Sequence, residues 1–345
     1  MAVSGGAASA IIAKARAIYG KRLTPEDYNN LVHKGGVSGV VAYLKDTDRY
    51  REAFKNVNEM QIHRGQVEQM LSKGVFELYF KLCGFMAADK NSFCYYLIKE
   101  TEINQIVSAL MYIKAGSDDG YLLEMPAFLM GKLSFDLMKL SRAKNYGELL
   151  EVISGTPYYK VLKPILSDGG NDLEECAAAL YAWFTRWAFK AIERDYGGEE
   201  AKALKEIFLR RSDLSNIMIC YRKRGTFNED AETIKKSLSD TYYRVKPSMI
   251  DEILSQPDAD KQLLALIKRL YFKNTIACDP DNLEISIRRY NYNYYKRQLI
   301  FTENGTMALY SLMGLCEVER SNLQKIIESA RYNRSPADTE QLLVF

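Results

Sequence analysis

Apolar residues recur at three- and four-residue spacing along almost the whole chain. Val67, Met70, Leu71, Val75, Leu78 and Leu82 form one such run, and that period puts them on one face of a helix. Two-residue alternation, the mark of a half-buried strand, is confined to Tyr290-Asn291-Tyr292-Asn293-Tyr294. Helix starts are written in the same places. Thr24-Pro25-Glu26-Asp27 offers a hydroxyl N-cap, a proline in the first turn and acid behind it. Ser248 is placed to cap a helix through Met249, Ile250, Ile253 and Leu254. Asn171 is placed to cap the helix that follows it, and Ser335-Pro336 opens a short last helix. The pattern predicts an all-α fold.

Two local marks recur three times in the same order. The first is a leucine-rich stretch ending in a Thr/Tyr corner: Leu44 to Thr47 and Tyr50, Val152 to Thr156 and Tyr158, and Leu266 to Leu270-Tyr271, where the threonine is missing. The second is an acid, two residues, an amide and an aliphatic: Glu102-Ile103-Asn104-Gln105-Ile106, Asp213-Leu214-Ser215-Asn216-Ile217 and Glu319-Arg320-Ser321-Asn322-Leu323. The step is roughly 110 residues, far longer than the periods near 34 to 47 of known helical arrays. Polar, Gly-containing stretches at Ala115–Gly120 and Arg224–Asp230 follow the first two acid–amide marks. Three repeat units are therefore expected, over residues 1–116, 117–226 and 227–345. In each, a short helical pair leads to the corner and longer amphipathic helices follow. The pairs lie near Pro25 to Leu44, from Tyr146 onward, and Lys246 to Leu270. Short connections make each unit a small helical bundle.

Composition narrows the function. Hydrophobic residues make up 47% and charged residues 26% of the 345, the balance of an ordinary globular protein. With 47 basic and 44 acidic residues the net charge is only +3, against the domain pI above about 9 that marks a nucleic-acid binder. No apolar run is long enough to span a bilayer, and no basic stretch precedes the short apolar patch at the start, so no leader is expected. Six cysteines stand singly, without a CxxC pair. They are expected to be reduced, buried thiols of a cytosolic protein, with the sequons at Asn304 and Asn333 as chance matches.

The catalytic signatures are missing. There is no phosphate-binding GxxxxGK[ST], no GxGxxG, no HExxH and no GxSxG. The two histidines, His33 and His63, sit on different predicted helices, where surface or capping roles suit them. Ser167 to Glu174 lacks the spacing of a calcium loop and reads as a turn. No catalytic residue, metal ligand or cofactor is expected. Arg288-Arg289-Tyr290-Asn291-Tyr292-Asn293-Tyr294-Tyr295-Lys296-Arg297 interleaves bases with aromatics. Such a stretch can stack nucleobases, form a protein interface or pack as a helix face with snorkelling cations. Arg222 and Arg224 close the second acid–amide helix, where cations suit the helix dipole, and Arg210-Arg211 stands ready to pair with Asp213. The 24 tyrosines fit a protein whose surfaces meet other proteins.

The stretch Ala13 to Arg16 through Leu23-Thr24-Pro25-Glu26-Asp27-Tyr28, with Val37, Val40 to Leu44 and Thr47 to Tyr50, resembles the N-terminus of the C-subunit family of archaeal and bacterial A/V-type ATPases. That family is the counterpart of the d subunit in eukaryotic vacuolar ATPases. Asp213 to Ile217 with Arg222 resembles its acid–Asn helix, and Tyr310, Glu317 to Glu319 and Asn322-Leu323 its C-terminal helix. The resemblance implies three helical subdomains around a pseudo-threefold axis, forming a funnel on the cytoplasmic face of the membrane. It implies a single-copy, non-catalytic rotor adaptor between the shaft, made by the D and F subunits, and the proteolipid ring, in a machine moving protons or sodium. Partner-contact candidates are Gln105, Asn216, Asn322, Arg222, Arg224, Arg288, Arg289 and Tyr292, with no nucleic acid among the partners. The three amide residues either face the funnel or tie helices together within a unit. The alternatives are an unrelated all-helical repeat scaffold and an all-α enzyme built on scattered acids.

Overall fold

The computed structural model describes residues 5–85, 91–117, 121–122, 125–167, 172–225, 227–273, 278–279 and 282–345. The protein is all-α; no strand occurs among the described residues. In chain order the helices are α1 Gly5–Gly20, α2 Pro25–Val32, α3 Gly36–Asp46, α4 Arg51–Phe54, α5 Arg64–Phe85, α6 Tyr96–Ala115, α7 Leu137–Ser141, α8 Tyr146–Val152, α9 Pro157–Ser167, α10 Leu173–Asp195, α11 Gly198–Gly225, α12 Ala231–Lys236, α13 Pro247–Leu254, α14 Ala259–Ile267, α15 Leu283–Phe301, α16 Gly305–Arg331 and α17 Pro336–Gln341. They fall into two compact units. One is Ala88–Lys273, and the other joins Ala2–Ala87 to Asn274–Phe345.

The terminal unit is built round α16. This helix packs against α1, α3, α5 and α15 and is buried on nearly every face along its first three turns, as a helix surrounded by others must be. Its later turns put Leu323, Ile326 and Ile327 into a cluster with Leu31, Val40, Val41, Leu44, Phe54 and Val67. Gly314 sets the approach of α15: a Cβ there would meet the Tyr295 ring at 2.6 Å. The alternating tyrosines thus lie on a helix. Their spacing brings Tyr290 inward and leaves Asn293 exposed.

The helix starts follow local chemistry. Thr24 makes a capping box with Asp27, whose carboxylate accepts the Thr24 N–H and hydroxyl, both at 2.7 Å, and the Tyr43 hydroxyl at 2.8 Å. Ser335 caps α17 as expected. Ser248 does not cap α13: the helix begins one residue earlier, at Pro247, with Lys246 as N-cap. Proline's fixed φ suits the first helical position, and that places Ser248 inside the helix. Asn171 lies outside the described residues; Asp172 caps α10, accepting from the Glu174 and Glu175 amides.

The middle unit packs α10 against α6 and α9, and α11 against α10 and α14. Phe208 of α11 meets Phe93 and Phe184 at ring-centroid distances of 5.6 and 5.7 Å. Asp195, at the end of α10, accepts the Phe93 N–H at 2.8 Å. All cysteines in the described residues are free thiols, and Cys278 alone among them is half-buried rather than buried. Burial pushes the Cys176 and Cys316 thiols up to about 11 and Cys220 up to about 12, which keeps them protonated and unreactive at neutral pH.

Gly314→Ala should destabilise the protein by about 1–3 kcal/mol in urea unfolding, because overpacking against Tyr295 outweighs alanine's better helix propensity. A gain in stability would show that α15 yields freely. Partial burial raises the Asp27 carboxyl, but the Thr24 and Tyr43 donors outweigh it and hold its pKa below the usual 3.8. The capping contribution is thus present above the unfolded pKa and lost as pH falls through the folded one. Asp27→Asn should flatten that part of the acid side of the stability profile, measured by thermal unfolding from pH 5 downward.

Candidate functional site

The two sequence marks meet in space. In each of three places the acid of the second mark is buried and accepts the tyrosine hydroxyl of a first mark. Glu102 is 1% exposed and accepts from Tyr158 at 2.6 Å and from the Ser134 N–H, with Lys99 at 3.1 Å. Asp213 is fully buried. It accepts the Tyr271 hydroxyl and the N–H groups of Tyr243, Arg244 and Val245, the last three at 2.9, 2.7 and 3.0 Å. Glu319 accepts from Tyr50 at 2.7 Å and from the Leu23 N–H at 3.0 Å, with Arg49 at 3.5 Å. Burial and the adjacent carboxylate push the phenols of Tyr50, Tyr158 and Tyr271 well above the usual tyrosine range, so each remains a donor.

The first two acids share nearly the same spacing to their donors. Ser134 lies 32 residues after Glu102 and Val245 32 after Asp213. Tyr158 lies 56 after Glu102 and Tyr271 58 after Asp213. Each corner therefore serves the acid of the preceding sequence copy, and the first corner closes on the third acid, 269 residues away. The threonine absent at Leu270 is replaced by backbone geometry. Thr47 caps the end of α3 and donates to the Leu44 carbonyl, and Thr156, in the turn before α9, donates to the Ile153 carbonyl, whereas Lys268–Phe272 runs on as a π-turn that carries Tyr271 onto Asp213.

The amide residues sit beside the acids. Asn216 donates to the Ser239 carbonyl at 3.2 Å and accepts the Ser239 N–H at 2.8 Å. Asn322 does the same with Val344, at 2.7 and 3.2 Å. Both are fully buried. Gln105 is half-buried and accepts the Tyr121 hydroxyl at 2.8 Å. Arg288 is brought to Asn322, donating to its side chain at 3.4 Å, to Ser321 at 3.1 Å and to the Leu342 carbonyl at 3.4 Å; burial lowers its pKa. Arg289 is half-buried on the same helix. The Tyr292 hydroxyl lies 3.2 Å from that of Tyr19. Arg222 is exposed, and Arg224 donates to the Glu229 carbonyl at 3.3 Å. Arg210 and Arg211 pair with Glu206 and Glu100 rather than with Asp213, whose oxygens the backbone already occupies.

Both histidines sit at helix ends. The His33 ring nitrogen Nδ1 lies 2.8 Å from the Asn29 carbonyl, and the His63 N–H donates to Gln66. Among the described residues no three His, Cys, Asp or Glu side chains are grouped to hold a metal ion, and no helix is long and apolar enough to cross a membrane. The arrangement ties backbone to side chain; among the described residues the three acids present no exposed nucleophile with a base beside it.

The sequence profile of the ATP synthase (C/AC39) subunit family matches residues 11–342, a span that contains all three acid–tyrosine pairs. The chain belongs to the ATP synthase (C/AC39) subunit family. Curated relatives are each named as the C subunit of an A-type ATP synthase. That of Methanosphaera stadtmanae is 23% identical over 340 residues, 94% of this chain and 84% of the relative. That of Methanocaldococcus jannaschii is 20% identical over 330 residues, 92% and 81%. That of Thermococcus kodakarensis is 24% identical over 213 residues, 61% of this chain. The matched region spans only 55% of the Thermococcus relative's length. Membership of the C/AC39 family sets aside an unrelated helical scaffold.

The acids and corner tyrosines were visible in the sequence as repeat marks, but their partnership was not. The signal that exposes two of the three pairs is the spacing from acid to tyrosine, 56 and 58 residues. Tyr158→Phe should cost about 1.5–3 kcal/mol in urea unfolding, as loss of a hydrogen bond to a buried charge does; an unchanged midpoint would show that the pair contributes nothing to stability. Asn216→Ala should lower stability by about 1–3 kcal/mol, because it orphans both Ser239 backbone groups, while leaving partner affinity unchanged. Lost affinity at unchanged stability would place Asn216 on a binding surface instead.

Proposed function

We propose that this chain is a non-catalytic adaptor of a rotary ion-translocating ATPase, joining the central shaft, made by the D and F subunits, to the proteolipid ring. The observation that carries the reading is the family match over nearly the whole chain, in a protein whose repeated buried groups serve packing rather than chemistry. ATP hydrolysis or synthesis then belongs to other parts of the machine, and this chain passes torque during transport of protons or sodium. Torque transfer needs stiffness and firm interfaces. Close-packed helices supply the first, and a specific interface of ~1,200–2,000 Å² the second.

The expected architecture is three similar helical subdomains, residues 1–116, 117–226 and 227–345, about a pseudo-threefold axis. Three equivalent acid–tyrosine pairs support it, as does the closing of the first corner on the third acid. The expected location is the cytoplasmic side of the membrane, peripheral, one copy per complex. Among the contact candidates drawn from the sequence, the exposed Arg222 is better placed to meet a partner than the buried Asn216 and Asn322.

Reconstitution tests the proposal. Purified shaft and ring should associate stably only when this chain is present, at one copy, and ATP-driven ion transport should fall to background when it is omitted. The association should weaken as ionic strength rises, since polar contacts at a rim are screened. Coupled transport without the chain would overturn the proposal.

A further inference from the structure

The basic, tyrosine-rich stretch of the sequence lies on α15. We propose that the outer face of α15, with α1 beside it, is a docking surface for an acidic helix of a protein partner. This deepens the adaptor reading and rests on it.

With 3.6 residues per turn, Arg289, Asn293, Lys296, Arg297 and Ile300 fall within an arc of about 100° on α15. Asn293, Arg297 and Ile300 are exposed, and Arg289 and Lys296 half-buried. Among the described residues no carboxylate pairs with Arg289, Lys296 or Arg297; Lys296 instead sits 5.8 Å from the Tyr292 ring centre. By contrast Lys223 is matched with Glu174 and Glu229, Arg186 with Asp240, and Lys205 with Glu193. The acids bordering the face are Glu284 at the far N-terminal end of α15 and Glu303 just beyond its C-terminus. The neighbouring α1 carries no acidic residue at all. In a chain of net charge +3, positive charge is thus gathered on two adjoining helices.

The face is also rigid and has an apolar end. Arg16 of α1 donates to the Leu299 and Thr302 carbonyls at the end of α15, at 3.0 and 2.9 Å, and the Tyr19 and Tyr292 hydroxyls meet. The two helices are thereby fixed before any partner arrives, which lowers the ordering cost of binding. Ile300 and Phe301, 45% and 74% exposed, lie about one turn beyond Arg297. Unpaired cations beside an exposed aromatic match a partner helix bearing acids around a small apolar patch.

Nucleic acid fits less well. Tyr290 is buried, Tyr294 packs edge-on against Tyr295, and Tyr295 against Tyr310, so these rings are spent inside the unit rather than offered for base stacking. A lipid surface also fits less well, because the apolar face of α15 (Leu283, Ile285, Ile287 and Leu299) is buried. Two terminal residues are too little to insert as an interfacial helix does.

The test uses the full chain, an Arg289→Glu/Arg297→Glu variant, a Phe301→Ser variant and an Arg186→Glu control. Each is titrated at low and moderate salt with purified shaft, purified proteolipid ring, a single-stranded oligonucleotide, and vesicles containing phosphatidylglycerol. The expected result is binding of the parent chain to shaft or ring, weakened ~10-fold or more by the double reversal and several-fold by Phe301→Ser. The control should bind like the parent, and thermal unfolding should be unchanged in all. Parent-like affinity of the double variant would overturn this inference while leaving the adaptor reading intact. So would a loss confined to oligonucleotide or vesicles. Failure of the parent chain to bind either assembly would overturn both.

Discussion

A carboxylate buried among helices must be given hydrogen-bond donors, and that requirement shapes every repeated segment of this chain. Glu102, Asp213 and Glu319 each take a tyrosine hydroxyl and at least one backbone N–H. Because the donors lie about one helix pair further along the chain, the path between is constrained. It must return to the acid with its backbone, form the short helical pair, and return again with the tyrosine. In the terminal unit the donors come from the opposite end of the sequence, so the same requirement binds the first fifty residues to the last helices. There the acid–tyrosine pair holds together segments that chain connectivity leaves far apart.

The three sites solve the requirement differently. Asp213 has three backbone donors. Glu102 and Glu319 have one each and add a cation, Lys99 or Arg49. Fewer amides thus go with a compensating charge, as expected when hydrogen bonds and ion pairs are alternative ways of holding a buried anion. The companion amides follow the same division. Asn216 and Asn322 grip a backbone from both sides, whereas the longer Gln105 reaches a tyrosine hydroxyl. These differences give physical content to the divergence legible in the sequence at Gln105 and Leu270: each copy keeps the buried anion satisfied by its own means.

Much of the helical layout was legible, because it rests on short-range chemistry. The Thr24 and Ser335 caps, the run Val67 to Leu82 and the end of the first acid–amide helix at Gly116, left-handed at φ 64°, each depend on a few neighbouring residues. Ser248 misled because a proline at the first helical position competes with a hydroxyl one residue later. The tyrosine alternation resembled a strand because residues four apart, such as Tyr290 and Tyr294, share a face in both a strand and a helix. The acid–tyrosine partnership was not legible for a different reason. Each partner belongs to a different sequence copy, and one pair is closed across 269 residues, so no local window contains it. Sequence marked the right helices but drew attention to the amides, whose acids three positions earlier carry the larger electrostatic demand.

The acid and the corner tyrosine stabilise the fold together, and the pair joining the chain's two ends tests that claim most directly. A double-mutant cycle of Tyr50→Phe and Glu319→Gln in urea unfolding measures their coupling free of each residue's separate packing. The predicted coupling is about 1–2 kcal/mol, within the range for neighbours in one hydrogen-bond network. Additivity of the two substitutions to within about 0.5 kcal/mol, the behaviour of independent sites, would contradict it.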